Sequence, residues 1–129
     1  MTTNGTPAHV GATTYVAVDV ETTGLDPARD AIIEVAAITF RGADILDAYD
    51  SLVNPLVAIP PYVTQLTGIN DATVADAPTL HTIRPRLRSK LGDNVILGHN
   101  VEFDLGFLRE ARLISGNRRM DTITLASIL

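Results

Sequence analysis

Val16-Ala-Val-Asp-Val-Glu-Thr-Thr-Gly-Leu-Asp-Pro27 decides how the rest of the chain is read. Its first half continues a β-branched, apolar run that begins at Thr14, and this predicts a buried strand over Thr14 to Val20. From Thr22 to Pro27 the residues are those of a turn. Two acids interrupt the apolar run. Asp19 and Glu21 lie two apart, so the pleat puts both carboxylates on one face with Cα atoms roughly 6–7 Å apart. Like charges held that close need a cation or a proton to coexist. Hard oxygen ligands at this spacing suit Mg2+ or Mn2+. The plainer reading makes one of them an ordinary strand-end acid facing solvent, and it sits poorly with so apolar a run.

Working outward, Ala31 to Phe40 reads as a second apolar strand. Arg41-Gly-Ala-Asp can close a hairpin onto a third, Ile45 to Val53, which Asn54-Pro55 ends. Three strands on short turns predict an antiparallel meander. The pattern then changes. Pro60 to Gly68 reads as a short helix opened by Pro and stopped by Gly. Leu80, Ile83, Leu87 and Leu91 predict a helix over Thr79 to Leu91, and Val95-Ile-Leu-Gly a brief buried strand. Asn100 is placed to cap a helix from Val101 to about Leu113, with Phe103, Phe107, Ala111 and Ile114 along one face. Asp121 to Leu129 reads as the start of another helix. Residues 1–13 are expected to form a disordered tail and residues 14–129 one domain. The order implies an α/β fold, a mixed sheet flanked by helices.

Composition narrows the classes of function. The 129 residues suffice for one domain with its own core, and 46% hydrophobic with 19% charged is ordinary globular usage. The absence of cysteine removes disulfides, zinc–thiolate sites, thiol catalysis and iron–sulfur clusters. No apolar run approaches the length of a membrane span and no signal-peptide pattern opens the chain, so a soluble, cytoplasmic protein is expected. Fifteen acids against ten bases leave a net charge of −5, a poor balance for binding DNA by charge alone. Arg84, Arg86, Arg88 and Lys90 crowd four of those bases together. They read either as a solvated helix face or as a patch that guides phosphates.

A second acid cluster lies in Gly98-His-Asn-Val-Glu-Phe-Asp-Leu-Gly-Phe-Leu108, which puts Asp104 in the first turn of a helix. A carboxylate there is favoured by about 0.3–1 kcal/mol with no metal present, so an electrostatic cap explains Asp104 taken alone. Glu102 points away around the helix and is expected to face solvent. Together, three carboxylates from two strand ends make a plausible clamp for two ions around a phosphate.

At this point the residues resemble a family. Val18-Asp-Val-Glu-Thr-Thr-Gly-Leu-Asp-Pro27 is similar to the first motif of the DnaQ-like (DEDD, proofreading-type) 3′→5′ exonucleases, and Gly98 to Leu108 to their second. Ile33-Glu-Val-Ala-Ala-Ile, Leu66-Thr-Gly-Ile and Met120-Asp-Thr-Ile-Thr-Leu-Ala follow in matching order, so the resemblance runs from Tyr15 to Leu129. It implies a ribonuclease H-like sheet with Asp19, Glu21 and Asp104 as catalytic ligands of Mg2+ or Mn2+. It implies that Thr22, Thr23, Gly24 and Leu25 approach the terminal nucleotide, with Leu25 on the last base. Thr67, Asn100 and Phe103 would complete the nucleotide site. His99 belongs to the second motif but is expected to be a structural hydrogen-bonder. The implied partner is the 3′ end of single-stranded DNA, with RNA not distinguished. The wording around Ile59 and Asp121 resembles exonuclease modules of DinG-type helicases or bacterial replicative polymerases, which implies a fused or associated partner.

The family's third motif carries a His or Tyr that activates water and a fourth acid. No His follows His99, and the only acids after Asp104 are Glu110 and Asp121. Asp121 matches a structural position. The chain therefore reads as a partial exonuclease domain, cut short at its C-terminus and inactive alone. Its open edge would favour self-association. Two other classes stand beside this reading. A degenerate, non-catalytic fold could bind nucleotide or protein. An Asp-nucleophile phosphatase would want Asp at position 21, and leaves Gly98 to Leu108 unexplained.

Overall fold

In the computed structural model, residues 13–123 are described. The expected tail, except Thr13, and the expected last helix beyond Ile123 lie outside them. The elements are β1 (Thr14–Thr22), β2 (Ile32–Arg41), β3 (Asp44–Leu52), α1 (Pro61–Thr67), α2 (Asp71–Val74), α3 (Leu80–Leu91), β4 (Val95–Gly98), α4 (Val101–Glu110) and β5 (Arg119–Asp121). They form one mixed sheet in the order β3-β2-β1-β4-β5. The first three strands are the antiparallel meander the sequence predicts, while β4 runs parallel to β1 and β5 parallel to β4. The architecture is the expected α/β mixed sheet.

Alternation along β1 sends Val16, Val18 and Val20 into a core shared with Ile83, Leu87 and Leu91 of α3 and Val101, Leu105 and Leu108 of α4. Each such side chain, fully buried, contributes about 1.5–3 kcal/mol. A smaller cluster of Ile33, Ile59, Val63, Ile69 and Val74 anchors α1 and α2 beside the sheet. No helix among the described residues is long and apolar enough to cross a membrane.

Four details differ from the sequence reading. β1 continues through Thr22, because its partner β2 extends the ladder past the acids to a register shift at Glu21/Thr22. α2 is a single turn held by a capping box between Asn70 and Thr73. β5 was not foreseen, and Asp121, expected to begin a helix, instead ends this strand: Ile96, Leu97 and Gly98 of β4 pair with Arg119, Met120 and Asp121. α4 stops at Glu110 rather than near Leu113. Arg112 takes a left-handed conformation at φ 60°, and the amides of Arg112 and Leu113 return to the carbonyls of Arg109 and Leu108. This is a Schellman stop with Arg where glycine is usual, at a backbone cost of about 1–2 kcal/mol.

Candidate active site

Because Val18 and Val20 face the helices, Asp19 and Glu21 fall together on the opposite face of the sheet, as the pleat requires. The register sets Asp19 beside Ala36 and Asp50, and Glu21 beside Glu34 and Leu52. Burial, then the charge of Asp19, raises the Glu21 pKa. Glu34 is raised by burial, then by Asp50 through charge and a shared hydrogen bond, and by Glu21 and Asp19.

Asp104 arrives from the first turn of α4 and is only 4% exposed. Burial, reinforced by Asp19 and Glu21, pushes its pKa up to about 7, against a lowering hydrogen bond from the Val20 backbone. Its Oδ2 has no hydrogen-bond partner. A buried carboxylate oxygen with no donor calls for a proton or a cation. Among the described residues no group of three or more His, Cys, Asp or Glu side chains is arranged to hold a metal ion. The donor set is nonetheless all carboxylate, beside one bare oxygen. It fits a hard divalent cation such as Mg2+ or Mn2+.

The phase of α4 is set from elsewhere in the chain. Asn100 was expected to cap this helix through its side chain; instead it takes a left-handed conformation (φ 60°) and makes no side-chain cap bond. The cap is Asp121, whose Oδ1 accepts from the Asn100 amide at 3.0 Å and whose Oδ2 accepts from the Val101 amide at 3.1 Å. The Ile123 amide adds a third bond at 2.9 Å. These bonds hold the Asp121 pKa below its usual range, the bond from Ile123 most strongly. His99 Nδ1 meets Thr122 Oγ1 at 2.8 Å, a structural hydrogen bond as expected. Glu102 faces solvent beside Arg119, its ion-pair partner.

The three carboxylates share a cleft of about 310 Å³ with Thr22, Gly24, Leu25, Thr67, Asn100 and Phe103. Thr23 is the one candidate outside it: it is 5% exposed, and its backbone and hydroxyl both bond Ala31, closing the base of the loop. Gly24 is needed inside the loop, since a Cβ there would stand 2.3 Å from Asp30 Oδ2, the oxygen that accepts from the Asp26 amide. Thr22 Oγ1 donates to the Gly24 carbonyl, and Thr67 Oγ1 donates to the Val63 carbonyl and accepts from the Ile69 amide. Leu25 and Leu66 are each 82% exposed at the mouth of the cleft, with Tyr62 beside them. Tyr62 and Leu66 were missed by the sequence reading. Their signal was an apolar pair four apart on α1 that Val63, on the core side, does not need. A larger cavity of about 400 Å³ lies between the 27–32 loop and the facing ends of α3 and α4, and none of the three carboxylates lines it.

Comparison with known proteins follows the same line. An exonuclease family model, RNase T, matches residues 16–125. The PolC-type DNA polymerase III of Bacillus cereus is 36% identical over 121 residues, covering 90% of this chain and 8% of the polymerase. That of Bacillus subtilis is 41% identical over 98 residues, covering 76% of this chain and 7% of the polymerase. The chain thus spans less than a tenth of these relatives' length. Escherichia coli exonuclease I in complex with a dA16 oligonucleotide superposes with a TM-score of 0.76 at 21% identity, over 90% of this chain and 29% of that one. Exonuclease X in complex with 5′ overhanging duplex DNA gives 0.67 at 26% identity, over 88% and 63%. With two acids on the β1 face, a third on α4 and a matching family model over most of its length, the chain belongs to the DnaQ-like exonuclease family.

Proposed function

We propose that this chain is the core of a 3′→5′ exonuclease domain that acts on the 3′ end of single-stranded DNA and releases nucleoside 5′-monophosphates. The observation that carries the reading is the bare, buried Oδ2 of Asp104 in one cleft with Asp19 and Glu21. These three residues would hold Mg2+ or Mn2+, which when bound supplies positive charge to a phosphodiester in a two-ion arrangement. The protein's own part is to position. Leu25, Tyr62, Leu66 and Phe103 offer apolar surface on which a terminal base can stack, and Thr22, Thr67 and Asn100 line the sugar–phosphate side. Thr23 acts by closing the loop rather than by touching nucleotide.

No stretch of the 129 residues matches the family's third motif, and His99, which lines the cleft, is held by Thr122, so we infer that these residues bind nucleotide and metal with little turnover on their own. General-base catalysis alone contributes about 10²–10⁴-fold. A polymerase or helicase context would supply DNA affinity, and copies of this chain would associate through the open β5 edge. The test is Mn2+-dependent release of mononucleotides from a 3′-labelled single strand, with Asp19→Ala in parallel and Mn2+ affinity measured by calorimetry. Mn2+ binding that Asp19→Ala weakens, without turnover above that variant's background, supports the reading. Turnover abolished by Asp19→Ala would keep the exonuclease and discard the inactivity. Absence of Mn2+ binding would leave the non-catalytic alternative.

A further inference from the structure

The charge of this chain is unevenly spread. Residues 1–79 hold ten acids and two bases, a net of −8, whereas residues 80–129 hold five acids and eight bases, a net of +3. The crowded bases of α3 meet separate fates. Lys90 pairs with Asp47 beneath the Tyr49 ring, and Arg84 Nε donates to the Ala111 carbonyl at 3.0 Å. Arg88 instead lines a small cavity of about 210 Å³ together with Arg112, Gly92 and Ser115. No acid lines this cavity, and among the described residues neither arginine pairs with one.

Arg88 and Arg112 are both exposed and have no acid beside them at this cavity; only the partial negative charge of the two helix C-termini offsets their repulsion. Arg112 also occupies the left-handed stop of α4, a position glycine fills with less strain, so its side chain is kept against a conformational cost. Planar guanidiniums in pairs match the oxygens of a phosphate group. We propose that the Arg88–Arg112 cavity is a phosphate-binding site. It lies at the C-terminal ends of α3 and α4, the far end of α4 from Asp104. A backbone phosphate of a nucleic acid strand and a free phosphate ligand offer the same chemistry to it.

The test uses the whole chain in EDTA, so that it is independent of metal, turnover and the proposed exonuclease activity. A labelled oligothymidine and, separately, inorganic pyrophosphate are titrated while the amide signals of Gly92 and Ser115 are followed. The same titrations are made with Arg88→Gln, Arg112→Gln, the double variant and Arg41→Gln, a control whose side chain bonds Thr14 at the other end of the chain. Saturable shifts with the oligonucleotide are expected, weakened roughly ten-fold in the double variant, with the log–log salt slope reduced by about 0.7 for one lost single-strand phosphate. Shifts with pyrophosphate alone would assign a free phosphate ligand. No shift with either probe, or equal binding by wild type and double variant with both folded by circular dichroism, would overturn the site.

Discussion

The two halves of the candidate site reach the same cleft by different means. Asp19 and Glu21 are placed by β1 alone: once its valines enter the core, the pleat leaves both acids on the other face. Asp104 is placed by a helix whose start is pinned from another strand, through the bonds of Asp121 to the amides of Asn100 and Val101. The first half is local geometry and the second is tertiary. A local arrangement survives changes elsewhere in the chain, whereas a tertiary one can be lost from a distance.

The largest effect is expected at the point where the halves meet. Asp104→Asn removes the acid with the bare oxygen, and Mn2+ affinity should fall beyond the roughly 10–100-fold that loss of a supporting group costs. Without metal the same variant should be more stable than wild type near neutral pH. Asp104 ionises only near pH 7 in the folded chain, so between about pH 4 and 7 the unfolded chain releases this proton first. This contribution to stability is complete below the unfolded pKa and is lost as pH rises through the folded one. Thermal melts in EDTA should show that decline in wild type and a flatter profile in Asp104→Asn. Equal slopes would remove Asp104 as the buried acid responsible.

The next effect separates the halves. Asp121→Ala should lower the melting temperature and weaken Mn2+ binding by about ten-fold, the usual loss for an outer support. Asp121→Asn, which keeps one acceptor oxygen, should recover part of both. The β1–β2 amides should quicken their exchange only by the amount the lost global stability predicts, since the bonds of Asp121 run to Asn100, Val101 and Ile123 and not to that hairpin. A larger change there would mean that the two halves are coupled. Because the bonds to Asp121 hold its pKa low, its support should persist above the usual carboxylate range and fade only as pH falls through the lowered value.

What could be read from sequence follows the same division. The meander, α3, β4, α4 and the shared face of Asp19 and Glu21 all follow from periodicity, which is a local property. β5 does not. Arg119, Met120 and Asp121 are too few to show alternation and two of them are exposed, so the strand exists only by pairing with β4. Asn100 is a good capping residue by type, but it stands in the left-handed conformation that Asn tolerates, and this turns the helix start toward Asp121. Thr23 carries no mark that distinguishes it from Thr22, yet one closes the loop by bonding Ala31 and the other lines the cleft.

The smallest prediction tests that correction. Asn100→Gly should change stability by no more than about 0.5 kcal/mol, because the side chain caps nothing and glycine accepts the same backbone angles. A loss above about 1 kcal/mol, the usual cost of removing a side-chain cap, would restore Asn100 to that role.

The position of Asp121 in the chain also orders events during synthesis. β1 and its hairpin can form while the remainder is still being translated, so Asp19 and Glu21 are set early. Asp104 is held in register only after β5 has emerged and docked beside β4. Until then a nascent chain presents two acids without the third, and so lacks the full set of oxygens that would take up a divalent ion.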